Sequence, residues 1–120
     1  MGQVAMTGRI DADGRVTLEG ILPEDLAVLM SALQGEFTAR GRHAARCELD
    51  ARMRREMAAA HRRGRHANER IAGELDAEGR DHTKRQLAAL DLIRVLKPLV
   101  SETEARAASQ LESANQTEEG

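Results

Sequence analysis

Phe37 is the only aromatic residue in a chain of 120, which contains no tryptophan and no tyrosine. Aromatic rings usually supply much of a core's buried area. Without them Leu, Ile, Val and Met must supply it, and the hydrophobic share of 41% leans on alanine. Such a composition suits the thin space between helices better than the interior of a globule. At this length one domain with a modest core is expected. A core so short of bulk also predicts further burial against a second copy or a partner.

The order of charges is the second constraint. Residues 38–66 carry nine arginines against three acidic residues, a net of +6. Residues 1–37 carry two arginines against six acids and residues 101–120 one against five, each a net of −4. A basic belt between acidic ends is able to grip a polyanion or an acidic protein surface, including the ends of a second copy. Sixteen of the eighteen basic residues are arginine, whose planar fork suits phosphate and carboxylate alike. The abundance of Arg, Ala and Gly also fits a GC-rich coding sequence, so composition alone assigns no role.

Local patterns predict the elements. Val4, Met6, Gly8 and Ile10 alternate with small or polar residues, and Val16 and Leu18 resume the alternation after Asp11-Ala12-Asp13-Gly14. Pairing Asp11 with Arg15 around a three-residue loop puts Gly14 in the left-handed conformation and sets Ile10 opposite Val16 and Gly8 opposite Leu18. Leu22-Pro23-Glu24-Asp25 is a helix start, with proline early and acids in the first turn. Leu22, Leu26, Leu29, Leu33 and Phe37 then form an apolar stripe, with Met30 beside it. A second stripe runs through Ala45, Leu49, Met53, Met57 and Ala60. Gly64, Gly73 and Gly79 predict a weak stretch with a break near Gly79, and Asp81 a cap for the next helix. Residues 87–100 are the most hydrophobic run, containing Pro98, a candidate kink.

These readings give a mainly α fold, an N-terminal β-hairpin followed by a three- to four-helix bundle completed by oligomerisation. A single domain spans 1–113, with the hairpin at 4–19, helices at about 23–36, 44–63, 81–97 and 99–113, and a flexible tail at 114–120. IDADGRVTLEGILPEDL, within residues 9–30, resembles the corresponding segment of swapped-hairpin transcription factors of the AbrB type, where a Gly-Arg turn leads through a strand to Pro-x-x-Leu. It departs at Glu19-Gly20-Ile21, an insertion before the proline, and no second hairpin pattern follows.

Catalytic signatures are sparse. His43, His61, His66 and His82 contain no pair three or four apart, so no helix face presents two imidazoles to a metal. Glu78 and His82 are four apart but straddle Gly79. Cys47, the single cysteine, excludes an internal disulfide and fits a reducing compartment. It lies near Arg46 and Arg52, which would lower its pKa if it were exposed, and His43 lies four residues before it. The four serines sit in no elbow-like context. No catalytic residue, metal or cofactor is expected, so the protein is read as not an enzyme. The N-terminus lacks a signal-peptide pattern and no apolar run approaches a membrane span, so a cytoplasmic location without membrane contact is expected.

The function expected is that of a small non-catalytic helical interaction protein (an oligomeric adaptor, regulator or inhibitor) binding a partner protein. The alternative is a nucleic-acid-binding regulator using the Arg-rich 40–65 segment. Arg54, Arg55, Arg62, Arg63 and Arg65 are the candidate partner- or nucleic-acid-binding residues. Leu87, Leu90, Ile93, Leu96 and Leu99 are the candidate oligomer interface. The missing aromatics argue against single-strand recognition, which uses ring stacking.

Overall fold

The computed structural model describes the backbone of residues 6–119 and the side chains of residues 6–114. It contains strands β1 (Thr7–Ile10) and β2 (Val16–Glu19) and helices α1 (Pro23–Ala60) and α2 (Arg65–Glu119). The fold is mainly helical with a short antiparallel hairpin, in line with the sequence. Two long helices replace the expected three- to four-helix bundle. The segments 23–36 and 44–63 belong to one helix ending at Ala60, and 81–97 and 99–113 to another. The expected tail is helical through Glu119, and residues 4 and 5 of the expected hairpin lie outside the described residues.

The first helix does end near residue 63, at Ala60, before a turn closed by Gly64, but the break predicted near Gly79 fails for a physical reason. A glycine in a helix interior costs about 1 kcal/mol relative to alanine, which neighbouring strong helix formers and tertiary packing can offset. At Gly79 a side chain would crowd the facing helix, and at Gly41 it would displace only the movable end of Gln86. A Cβ on Gly41 would lie 2.5 Å from Gln86 Nε2, and one on Gly79 3.2 Å from the Cβ of Cys47. Asp81 caps nothing: it lies inside α2, 3.5 Å from Arg85 Nε. Pro98 is also accommodated within α2.

The hairpin follows its turn chemistry. Asp11 N–H donates to Arg15 O at 2.9 Å and Gly14 N–H to Asp11 O at 3.0 Å. The Asp11 carboxylate accepts from the backbone N–H groups of Asp13 and Arg15. Gly14 has φ 80°, a conformation costly to residues with a Cβ. The register pairs Ile10 with Val16 and Gly8 with Leu18, as the alternation requires.

The chain divides into two compact units, one of Met1–Ser31 with Val95–Gly120 and one of Ala32–Arg94. In the first, Leu22 opens α1 by accepting the Leu26 N–H at 3.0 Å. Leu26 and Met30, four apart on one face, are buried. Ile10, Val16 and Leu18 on the hairpin remain exposed.

The second unit is an antiparallel helical hairpin turned at 61–64, where Gly64 adopts φ 77°. Its seam is built from small residues. Cys47, Ala51 and Ala58 of α1 and Ala72 and Ala89 of α2 are buried, with Ala72 at 0% and Ala51 at 1% exposure. No larger side chain is buried to that degree among the described residues. The stripe of Ala45, Leu49, Met53, Met57 and Ala60 is not buried in the seam: Leu49 is 53%, Met53 52% and Met57 46% exposed, with Met53 and Met57 at its edge beside Ile71 and Leu75. A short connection favours close antiparallel packing, and alanine, cysteine and glycine let two backbones approach more closely than leucine or methionine would. The small-residue face is therefore spent on the hairpin, leaving the bulkier stripe at the surface.

Candidate functional site

The Ala32–Arg94 helical hairpin holds the basic belt, and its geometry separates the belt's arginines into two groups. Arg54 Nη1 donates to the Oδ1 of buried Asn68 at 3.1 Å. Arg55 forms an ion pair with Asp76 on α2, which holds the Asp76 carboxyl below its usual range, with Arg80 adding to the effect. Arg65 Nε donates to the carbonyl of Ala58 at 2.9 Å, satisfying a group in the last turn of α1. These three of the five candidate binding arginines fasten α1 to α2 around their turn.

Arg62 and Arg63 are different. They occupy the turn, are exposed, and their side chains form no hydrogen bond or ion pair among the described residues. His61 and His66 flank them. Cations at the first positions of α2 oppose its macrodipole, and α2 has no acidic residue in its first turn. The tip of the hairpin therefore presents two arginines without a side-chain partner among the described residues.

The apolar surface has its own geometry. Met53 and Met57 of α1 and Ile71 and Leu75 of α2 line a groove of about 430 Å³, bordered by Asp50 and Arg54. Methionine is suited to such a surface because its unbranched, polarisable side chain adapts to different contacts. Of the candidate oligomer residues, Leu87 is 55% and Leu99 46% exposed, while Leu90, Ile93 and Leu96 are half-buried. Leu92 and Val95 are also exposed.

A polar cluster interrupts the seam. Sequence spacing suggested no histidine pair on one helix, and the helical break expected at Gly79 separated Glu78 from His82. With Gly79 inside α2, Glu78 and His82 share a face, and α1 meets it with His43 and Cys47, also four apart. The rings of His43 and His82 stack with centroids 5.2 Å apart. One donor atom from each of Cys47, Glu78 and His82 lies within 4.8 Å of the others. Two i, i+4 pairs, one on each helix, were the sequence signal for this meeting, but their alignment required the tertiary pairing.

Arg40 organises the cluster. Its Nε donates to Glu36 Oε1 at 2.6 Å and its Nη1 lies 2.9 Å from His82 Nδ1. A guanidinium only donates, so this bond assigns the Nδ1 lone pair as acceptor and puts the ring proton on Nε2. That nitrogen faces Glu78 Oε1 at 3.6 Å. The Cys47 thiol is pushed up from its ordinary pKa by burial, with Glu78 and Asp50 adding to the rise. Cys47 is buried at the seam, so the condition under which Arg46 and Arg52 would lower its pKa, exposure of the thiol, is not met. A buried, protonated thiol is a poor nucleophile.

Among the described residues, no helix is long and apolar enough to cross a membrane. No protein-family model, curated protein or solved structure matches this chain.

Proposed function

We propose that this chain is a small non-catalytic interaction protein that self-associates through its exposed apolar surface and offers its basic turn to an acidic partner protein. The groove of Met53, Met57, Ile71 and Leu75 carries the reading, because it leaves large apolar side chains at the surface while alanines fill the seam. A second copy is the favoured occupant. The chain holds both a +6 segment and two −4 segments, so two copies bring complementary charge as well as apolar area. Leu87, Leu92 and Leu99 supply further exposed apolar surface on α2. A stable interface buries roughly 800 Å² per partner.

Sedimentation equilibrium of the full chain at low and moderate salt tests this reading. The expected result is a dimer or higher species that Met53→Glu dissociates without loss of helical circular dichroism. A strictly monomeric mass at tens of micromolar would remove its support.

Arg62 and Arg63, exposed at the turn and without side-chain partners among the described residues, favour one second reading, a nucleic-acid-binding regulator. Its affinity for duplex DNA would fall steeply with salt. Replacing Arg62 and Arg63 by alanine would reduce the salt slope by about two, roughly one for each phosphate contact. Absence of salt-dependent binding would exclude it.

A further inference from the structure

We propose that Cys47, Glu78 and His82 form a zinc-binding site across the seam of the helical hairpin, with Arg40 acting as an internal competitor for it. The donor set comes first. Thiolate, imidazole and carboxylate are the three ligand types that Zn²⁺ combines, and a thiol excludes the all-oxygen preference of calcium and magnesium. Geometry comes second. Tetrahedral zinc places neighbouring donors roughly 3.3–3.7 Å apart, from bond lengths of about 2.0–2.3 Å. The three donors already lie within 4.8 Å of one another, so small side-chain rotations close the site. Gly79 permits this approach, since a Cβ there would lie 3.2 Å from the Cβ of Cys47.

Burial and charge agree with this assignment. Cys47 lies in the seam and His82 is largely covered, while Glu78 reaches solvent and gives the ion a route in. A Cys47 thiolate and the Glu78 carboxylate together balance the two charges of Zn²⁺. His43, stacked on His82, restrains its ring. The fourth position is left for water.

His82 Nε2, on the side of Glu78, is the ligating nitrogen. It carries a proton while Nδ1 accepts from Arg40. On binding, Zn²⁺ replaces the Cys47 thiol proton, which leaves to solvent, and the Nε2 proton, which solvent returns to Nδ1. The ring then needs an acceptor at Nδ1, as zinc-bound histidines usually have, but Arg40 presents a donor and a positive charge. Arg40 must swing aside, so it holds affinity down. Arg40→Gln replaces the guanidinium with a neutral side chain that offers a carbonyl acceptor.

Co²⁺ is the probe, titrated into reduced, metal-free full-length protein. Its tetrahedral thiolate complexes absorb by charge transfer and by intensified d–d transitions, and displacement by Zn²⁺ then reports affinity. The expected result is one Co²⁺ per chain with both features, loss of the d–d signal in His82→Gln, and at least tenfold weaker binding in Glu78→Gln. Cys47→Ala should abolish the charge-transfer band while keeping the helical circular dichroism, because alanine already fills the seam at Ala51 and Ala58. Arg40→Gln should bind about tenfold or more tightly, a gain that unfolding cannot produce. Absence of charge transfer in the parent protein, unchanged affinity in His82→Gln, or weaker binding in Arg40→Gln would overturn the proposal.

Discussion

Replacing Gly79 by alanine sets two effects of comparable size against each other. Alanine is worth about 1 kcal/mol over glycine in a helix interior, and Gly79 lies well inside α2. Its new methyl group, however, would sit 3.2 Å from the Cβ of Cys47 and 3.8 Å from the carbonyl oxygen of Ala44. Carbon atoms prefer about 3.5–4.0 Å, so the helices must separate by a few tenths of an ångström along a seam with little slack. Overpacking of this kind costs roughly 1–3 kcal/mol. Gly73 is the matched control: it occupies the same helix, and a Cβ there meets nothing within 4 Å. Gly73→Ala should therefore stabilise by about 0.5–1 kcal/mol, whereas Gly79→Ala should be neutral or destabilise by up to about 2 kcal/mol after its propensity gain is subtracted from the overpacking cost. Urea titration followed by circular dichroism measures both. Thermal melts should separate the variants by about 4–8 °C for each kcal/mol of difference. Equal stabilisation by the two substitutions would refute the close seam. Adding Cys47→Gly to Gly79→Ala removes the opposing Cβ, and favourable coupling in that double-mutant cycle should confirm the contact.

The arginines should divide in the same assay. Arg62→Ala and Arg63→Ala are expected to shift stability by less than about 0.5 kcal/mol, whereas Arg54→Ala, which leaves buried Asn68 without its donor, should cost about 1–3 kcal/mol. Acid should weaken the Ala32–Arg94 hairpin through Glu36 and Asp76, whose folded pKa values are lowered chiefly by hydrogen bonds from Arg40 and Arg55. Their contribution is fully present above the ordinary carboxylate range and is lost as pH falls through the lowered folded values. Asp76→Asn should flatten that part of the pH–stability curve. In the β-hairpin, Gly14→Ala should cost about 1–2 kcal/mol, because φ 80° is strained for any residue with a Cβ. Loss of amide-exchange protection at Asp11 and Arg15 would report it.

Readings that depended on a few adjacent residues were legible in the chain. The helix start at Leu22-Pro23 was readable because proline's fixed φ and the acids that follow act within one turn. Candidate chemistry was readable as residue types, but not as a site. In the sequence Gly79 separates Glu78 from His82, and the proximity of His43, Cys47, Glu78 and His82 depends on which residue of α1 faces which residue of α2. Sequence likewise does not distinguish the candidate arginines; Asn68, Asp76 and the Ala58 carbonyl, which stand opposite three of them, do.

The sequence by itself determined the β-hairpin. Its register follows from Asp11, Gly14 and the alternation of Gly8, Ile10, Val16 and Leu18, whose interactions close within a few residues. It also limited the buried material to small and aliphatic side chains by containing a single aromatic. Only the tertiary structure decided that helices pass through Gly35, Gly41, Gly73 and Gly79, and that α1 turns Cys47, Ala51 and Ala58 inward rather than Leu49, Met53 and Met57. Periodicity within one helix identifies an apolar face. The closeness that two backbones can reach, a property of both helices together, selects the face that is buried.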